Sequence, residues 1–198
     1  MAPIWRSFTR TWPACGLPCA ACFVTPGPML RFLLIFTVVC LGLFAFEVSK
    51  PGETWVVTPF TDVLASFSTW LIKLFDEDVV SYGKIIQSTA NGFAVSIERG
   101  CNGLEAVIIL IAAVSAFPAS WKHKLVGLVA GFVAIQLLNL VRIISLFYLG
   151  QYSMHWFEWF HLYLWQALII LDAVFVWLIW LRWVARRDRQ ASLEPAAA

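Results

Sequence analysis

Four long apolar runs, at 29–46, 101–117, 125–149 and 162–184, decide what this chain can become. A helix needs about 20 apolar residues, at ~1.5 Å rise each, to cross the hydrocarbon core of a bilayer. Four such runs leave no room for a large separate globular domain among 198 residues. The chain is 61% hydrophobic and 13% charged, whereas a soluble domain is roughly half apolar and about one quarter charged. That balance excludes a disordered chain, a coiled coil and an ordinary cytosolic enzyme. Nucleic acid is excluded as a partner, because basic residues gather only in loops beside the apolar runs.

Those basic residues set the topology. Arg6, Arg10 and Arg31 precede or open the first run, and Lys122 and Lys124 separate the second from the third. Arg182, Arg186, Arg187 and Arg189 close the fourth. Lys and Arg collect on the cytoplasmic side, so four spans with both termini inside satisfy all three clusters. Glu47, Glu53, Asp76, Glu77, Asp78, Glu98 and Glu158 then fall in the outer loops. Residues 1–28 read as a cytoplasmic N-terminal segment, 29–184 as the transmembrane domain and 185–198 as a cytoplasmic tail. The first run is too long for most cleaved leaders and no small-x-small site follows it, which predicts a signal anchor.

Residues 56–75 would make a fifth span and break the parity. Phe60, Val63, Leu64, Phe67, Trp70, Leu71, Leu74 and Phe75 instead form a helical stripe opposite Thr61, Asp62, Ser66, Thr69 and Lys73. This pattern predicts an amphipathic helix on the outer leaflet or over the bundle. Further on, residues 84–87 and 93–97 flank Asn91-Gly92, a two-residue hairpin signal. The predicted fold is therefore an all-α integral membrane bundle of four spans. An interfacial helix and a small exterior β-hairpin complete it.

In so apolar a chain the polar residues near the spans carry the information. Cys101 follows the hairpin in Gly100-Cys101-Asn102-Gly103, where a helix begins. A helix N-terminus favours the thiolate, and Cys101 alone of the five cysteines is predicted to face outward. Arg142 falls within ~5 Å of the outer boundary if Lys124 marks the inner one. Asn139 lies three residues earlier on nearly the same face. His161 opens the fourth run at the same outer boundary, counted back from Arg182, with His155 a loop competitor. Singly, each has an ordinary reading: a small buried hydrophobe, a snorkelling arginine and a histidine of an aromatic belt. Together, three separate helices bring a thiol, a cation and an imidazole to one depth. Those are the parts for acyl transfer, with the thiolate attacking, histidine moving protons and arginine stabilising the oxyanion.

Other polar groups receive supporting roles. Asp172 shares the face of His161 but lies ~16 Å deeper, and reads as an interhelical hydrogen-bond partner. Glu105 stands four residues past Cys101 with a capping or solvated role, and Glu158 is left unassigned between loop and site. Cys15, Cys19 and Cys22 lack a fourth ligand, so no metal is expected.

Three blocks, Gly100-Cys101-Asn102-Gly103-Leu104, Asn139-Leu140-Val141-Arg142-Ile143 and Phe160-His161, resemble the Cys, Asn-x-x-Arg and His blocks of the exosortase/archaeosortase family. The resemblance covers residues 79–184, and the short N-terminal half is similar to compact members such as exosortase H. It implies a membrane transpeptidase of the bacterial inner membrane, without cofactor, its site on the exterior side. Its partners would be membrane lipids and exported proteins ending in a motif, an apolar helix and a basic tail. The resemblance assigns Cys101 as nucleophile, Arg142 as carbonyl or oxyanion stabiliser, His161 as proton carrier and Asn139 as a support for Arg142. Asn102 stands where many members carry serine, and Trp165 where a glycine is often seen. Two other readings fit the residues: a non-catalytic membrane assembly or transport component, and a membrane lipid acyltransferase.

Overall fold

The computed structural model of the protein describes residues 27–193. Helix α1 (Pro28–Val48) begins with its proline in the first turn, where a missing N–H costs nothing. Leucine, isoleucine, valine and phenylalanine cover its whole circumference, and Glu47 is its one buried residue. A helical turn (Lys50–Gly52) and a π-helical turn (Glu53–Val57) lead into α2 (Thr58–Ile72). Gly52 is required there, since an added Cβ would lie 1.9 Å from the Phe46 carbonyl oxygen.

Helix α2 buries part of its apolar stripe, with Leu64 in the core and Phe60 and Leu71 against it, together with small polar residues beside them. Val63, Phe67, Trp70, Leu74 and Phe75 point outward, while Thr61, Leu64, Ala65, Ser68, Thr69 and Ile72 pack inward. Two hydroxyls tolerate this because they bond to their own helix: Thr61 Oγ1 to the Val57 carbonyl at 2.7 Å and Ser68 Oγ to the Leu64 carbonyl at 2.8 Å.

A three-stranded antiparallel sheet follows, ordered β1 (Val79–Tyr82), β2 (Ile85–Ser88), β3 (Ala94–Ser96). It contains the expected hairpin, since β2 and β3 pair antiparallel across the loop that holds Asn91-Gly92, and it adds one strand. The added strand β1 joins β2 through the two-residue turn Gly83-Lys84, with Gly83 at φ +54°. Asn91-Gly92 connects β2 and β3 as expected, in a loop longer than two residues, where Asn91 Oδ1 accepts from the Phe93 N–H at 2.9 Å. Val79, Ile86 and Ile97 turn into a core with Leu64, Ala65 and Ile72 of α2.

Helix α3 (Leu104–Ala116) has 13 residues, about 20 Å at ~1.5 Å per residue. The second apolar run is thus shorter as a helix than as a sequence, because 101–103 stay in the preceding loop. Helix α4 (Trp121–Tyr152) is long, and after Ser153 a short α5 (Met154–Trp159) runs through a π-helical turn (Phe160–Leu164) into α6 (Trp165–Leu193). Among the described residues, three helices are long and apolar enough to cross a membrane: Pro28–Val48, Trp121–Tyr152 and the composite Met154–Arg187. The protein is therefore a mostly helical, multi-pass membrane protein with a small sheet.

The helices meet in a second core of Leu110 and Val114 from α3, Ile135 from α4 and Ala173, Trp180 and Leu181 from α6. Small residues permit the approach. A Cβ on Gly127 would lie 2.3 Å from Trp180 Nε1, and one on Gly131 2.4 Å from Leu110 Cδ2.

Candidate active site

The loop between β3 and α3 is built to hold one side chain. Gly100 and Gly103 adopt φ +80° and +77°, in the left-handed region that glycine enters without steric cost. The Cys101 N–H donates to the Glu98 carbonyl at 2.9 Å, and the Gly100 N–H donates to the Glu105 carboxylate. Glu105 is thus a brace for the cysteine loop. Asn102 is fully buried: its Oδ1 accepts from the Leu104 N–H at 3.0 Å and its Nδ2 donates to Thr61 Oγ1 at 3.3 Å. Its carboxamide ties the start of α3 to α2.

Arg142 reaches this loop from α4 and is the largest fully buried side chain among the described residues. It donates from Nη1 to the Gly100 carbonyl at 2.9 Å and from Nη2 to Cys101 Sγ at 3.5 Å. His161 arrives from the π-helical turn, and its Nδ1 stands 4.0 Å from Cys101 Sγ. Its ring stacks on Phe157 at 5.6 Å between centroids and 10° between planes, which sets its orientation. A π-turn widens the helix locally and is often found at functional sites.

The three groups line one cavity of about 200 Å³, with β3, Ile143, Leu146 and Phe157 among its other walls. Glu98 stands at its rim. The Lys84 ammonium, 2.7 Å away, and then the Ser96 hydroxyl hold the Glu98 carboxyl below the usual carboxylate range.

The expected lowering of the thiol pKa is not what the surroundings produce. Burial pushes the Cys101 thiol up, the Arg142 guanidinium pulls it part of the way back, and Glu105 and Glu98 push it up again. The physical reason is burial, and because α3 starts at Leu104, Cys101 sits in the loop before the helix rather than in its first turn. A protonated resting thiol needs a proton acceptor within reach, and His161 is the imidazole in the cavity.

Several expected partners are placed elsewhere. Asn139 does not bond to Arg142; it is buried against Gly103, with Asn139 Cγ 3.3 Å from where a Cβ would stand. Glu158 is exposed and outside the cavity, and His155 is exposed with its ring edge-on to Trp156. Asp172 is half-buried on α6, away from the cavity, and makes no hydrogen bond among the described residues. Cys15, Cys19 and Cys22 lie outside the described residues.

Sequence reasoning passed over Gln136, which is buried beside Gly103 and whose carboxamide has no partner. Its signal was present: a polar residue three before Asn139 and six before Arg142, on one helical face of an apolar run. Glu47, assigned to an outer loop, is buried in the last turn of α1.

Fold and site together define a multi-pass membrane protein carrying a cysteine, an arginine and a histidine around one cavity. The family model described as transmembrane exosortase (EpsH) matches residues 5–164, a stretch that includes all three. The chain belongs to the transmembrane exosortase family. No curated protein and no solved structure matches it.

Proposed function

We propose that the protein is a membrane-embedded cysteine peptidase that cleaves C-terminal sorting signals of exported proteins and passes them to a surface acceptor or to water. One observation carries this reading. Cys101, Arg142 and His161, supplied by a loop and two different helices, converge on one cavity, with 3.5 Å from guanidinium to sulfur and 4.0 Å from sulfur to imidazole.

The chemistry follows from those distances. His161 takes the thiol proton as Cys101 Sγ attacks the scissile carbonyl carbon, forming a C–S bond. Arg142 offers its guanidinium to the negative charge that develops on oxygen. The C–N bond then breaks, and His161 returns the proton to the leaving amine. The thioester is next attacked by an acceptor amine or by water, whose proton goes to His161 while the thiolate departs. A membrane-held substrate is already concentrated and oriented in two dimensions, which favours this encounter.

The same reading places four crossings in the bacterial inner membrane, with α3 as the fourth and the Cys101 loop at its outer end. Both termini are cytoplasmic and the site opens on the exterior side. Helix α2 lies at the outer boundary, its aromatic stripe toward lipid. Clients end in a short motif, an apolar helix and a basic tail.

The test is processing, in cells, of an exported reporter that ends in such a signal from the same genome. Cys101→Ala abolishes it while the protein stays folded and membrane-inserted; normal processing in Cys101→Ala ends the peptidase reading and leaves a non-catalytic component.

A further inference from the structure

We propose that the substrate binds as a fourth strand on the free edge of β3, which lays its scissile bond beside Cys101. This rests on the peptidase reading of the site and adds how the substrate is held.

Strand β3 pairs with β2 on one side, and among the described residues no strand pairs with the other. The pairing shows which groups face outward. Ser88 N–H donates to the Phe93 carbonyl at 2.8 Å, and Ile97 N–H donates to the Lys84 carbonyl at 2.9 Å. Antiparallel strands alternate in direction along the chain, so Phe93, Val95 and Ile97 address β2. Ala94 and Ser96 direct their N–H and C=O groups to the opposite edge. Both residues are exposed.

That open edge is continuous with the reacting groups. Ala94, Val95 and Ser96 line the same cavity of about 200 Å³ as Cys101, Arg142 and His161. Folded proteins usually block such an edge with proline, a bulge or an inward charge. Here the nearest charge is engaged: Glu98 accepts from Lys84 at 2.7 Å and from the Ser96 hydroxyl at 2.8 Å. The Ser96 side chain is thereby drawn aside while its main chain stays free.

The occupant that fits is an extended stretch of polypeptide. Main-chain pairing to Ala94 and Ser96 supplies affinity independent of sequence, and side-chain pockets supply the selection. Val95, Ile143, Leu146 and Phe157 make the available walls apolar, which favours a small apolar side chain near the scissile bond.

Proline tests the edge directly, since it removes an N–H and is tolerated where that N–H makes no ladder bond. Ser96→Pro and Ala94→Pro are introduced into the full chain. Each variant is scored for processing of the reporter and for alkylation of Cys101 by iodoacetamide, which needs the thiol but no strand pairing. The expected result is a loss of processing of roughly tenfold or more, with the alkylation rate within about twofold of the parent. Normal processing in either variant overturns strand addition while leaving the Cys101 chemistry intact. Loss of alkylation in both also overturns it, because a free edge accepts proline. Failure of the peptidase reading looks different, since Cys101→Ala would then still process the reporter.

Discussion

Helix α4 meets its neighbours through glycine in its first half and through buried polar groups in its second. In the first half, Gly127 admits the Trp180 ring, whose Nε1 donates to the His123 carbonyl at 2.9 Å, and Gly131 admits Leu110. Both of those contacts are apolar or hydrogen-bonded. From the middle of the helix onward Gln136, Asn139 and Arg142 are buried, and both carboxamides and Arg142 Nε have no partner. Unpartnered buried polar groups cost stability. One half of the helix is therefore built to hold the bundle together, and the other to hold a site.

That contrast can be broken by substitution, starting with the largest effect. His161→Ala slows reporter processing by about 10²–10⁴-fold, the usual share of a positioned proton carrier. Arg142→Ala slows it by roughly 10²–10³-fold, the worth of one oxyanion donor. The second variant also moves the thiol. Cys101 is held up by burial and drawn down by Arg142, so losing the guanidinium raises its pKa further. Only the thiolate reacts with iodoacetamide; alkylation near neutral pH therefore falls in Arg142→Ala, and its rise with pH shifts to higher values. An unchanged pH profile would separate Arg142 from the sulfur.

The first half should respond in the opposite sense. Gly127→Ala forces the Trp180 indole aside and destabilises the bundle by about 1–3 kcal/mol, read as thermal unfolding in detergent. Processing per folded molecule is retained. If it falls as far as in Arg142→Ala, the division of labour along α4 is wrong. The smallest effect belongs to Lys84→Ala. Its ion pair with Glu98 is solvent-exposed, with side-chain exposures of 46% and 60%, and its removal leaves the unfolding temperature within about 2 °C.

Much of this arrangement was legible in the sequence, and the exceptions have physical causes. Apolar runs between basic clusters place helix boundaries, and those boundaries bring Cys101, Arg142 and His161 to one depth. Periodicity also finds the two faces of α2, but it cannot say which turns inward. Small hydroxyl residues let the helix pack closer to its neighbours than the large apolar ones do. The length of α3 was hidden because Gly100 and Gly103 look like helix punctuation in sequence yet hold Cys101 outside the helix. The thiol followed: burial raises it by more than the Arg142 guanidinium lowers it. The β2–β3 hairpin follows from Asn91-Gly92, whereas strand β1 has no alternating pattern to announce it, although Val79, Val80 and Tyr82 favour strands. The π-helical turn that carries His161 has no signature in residue type.

The central claim is that sulfur, guanidinium and imidazole act as one acyl-transfer site, and the covalent product on the sulfur tests it most directly. Protein purified from cells expressing a client is digested, and the mass of the Cys101 peptide is measured. The account predicts a thioester-linked peptide acyl group, ending at the client's cleavage point and released by hydroxylamine. A fatty acyl group on Cys101, or a bare thiol in cells that process the client normally, would contradict it.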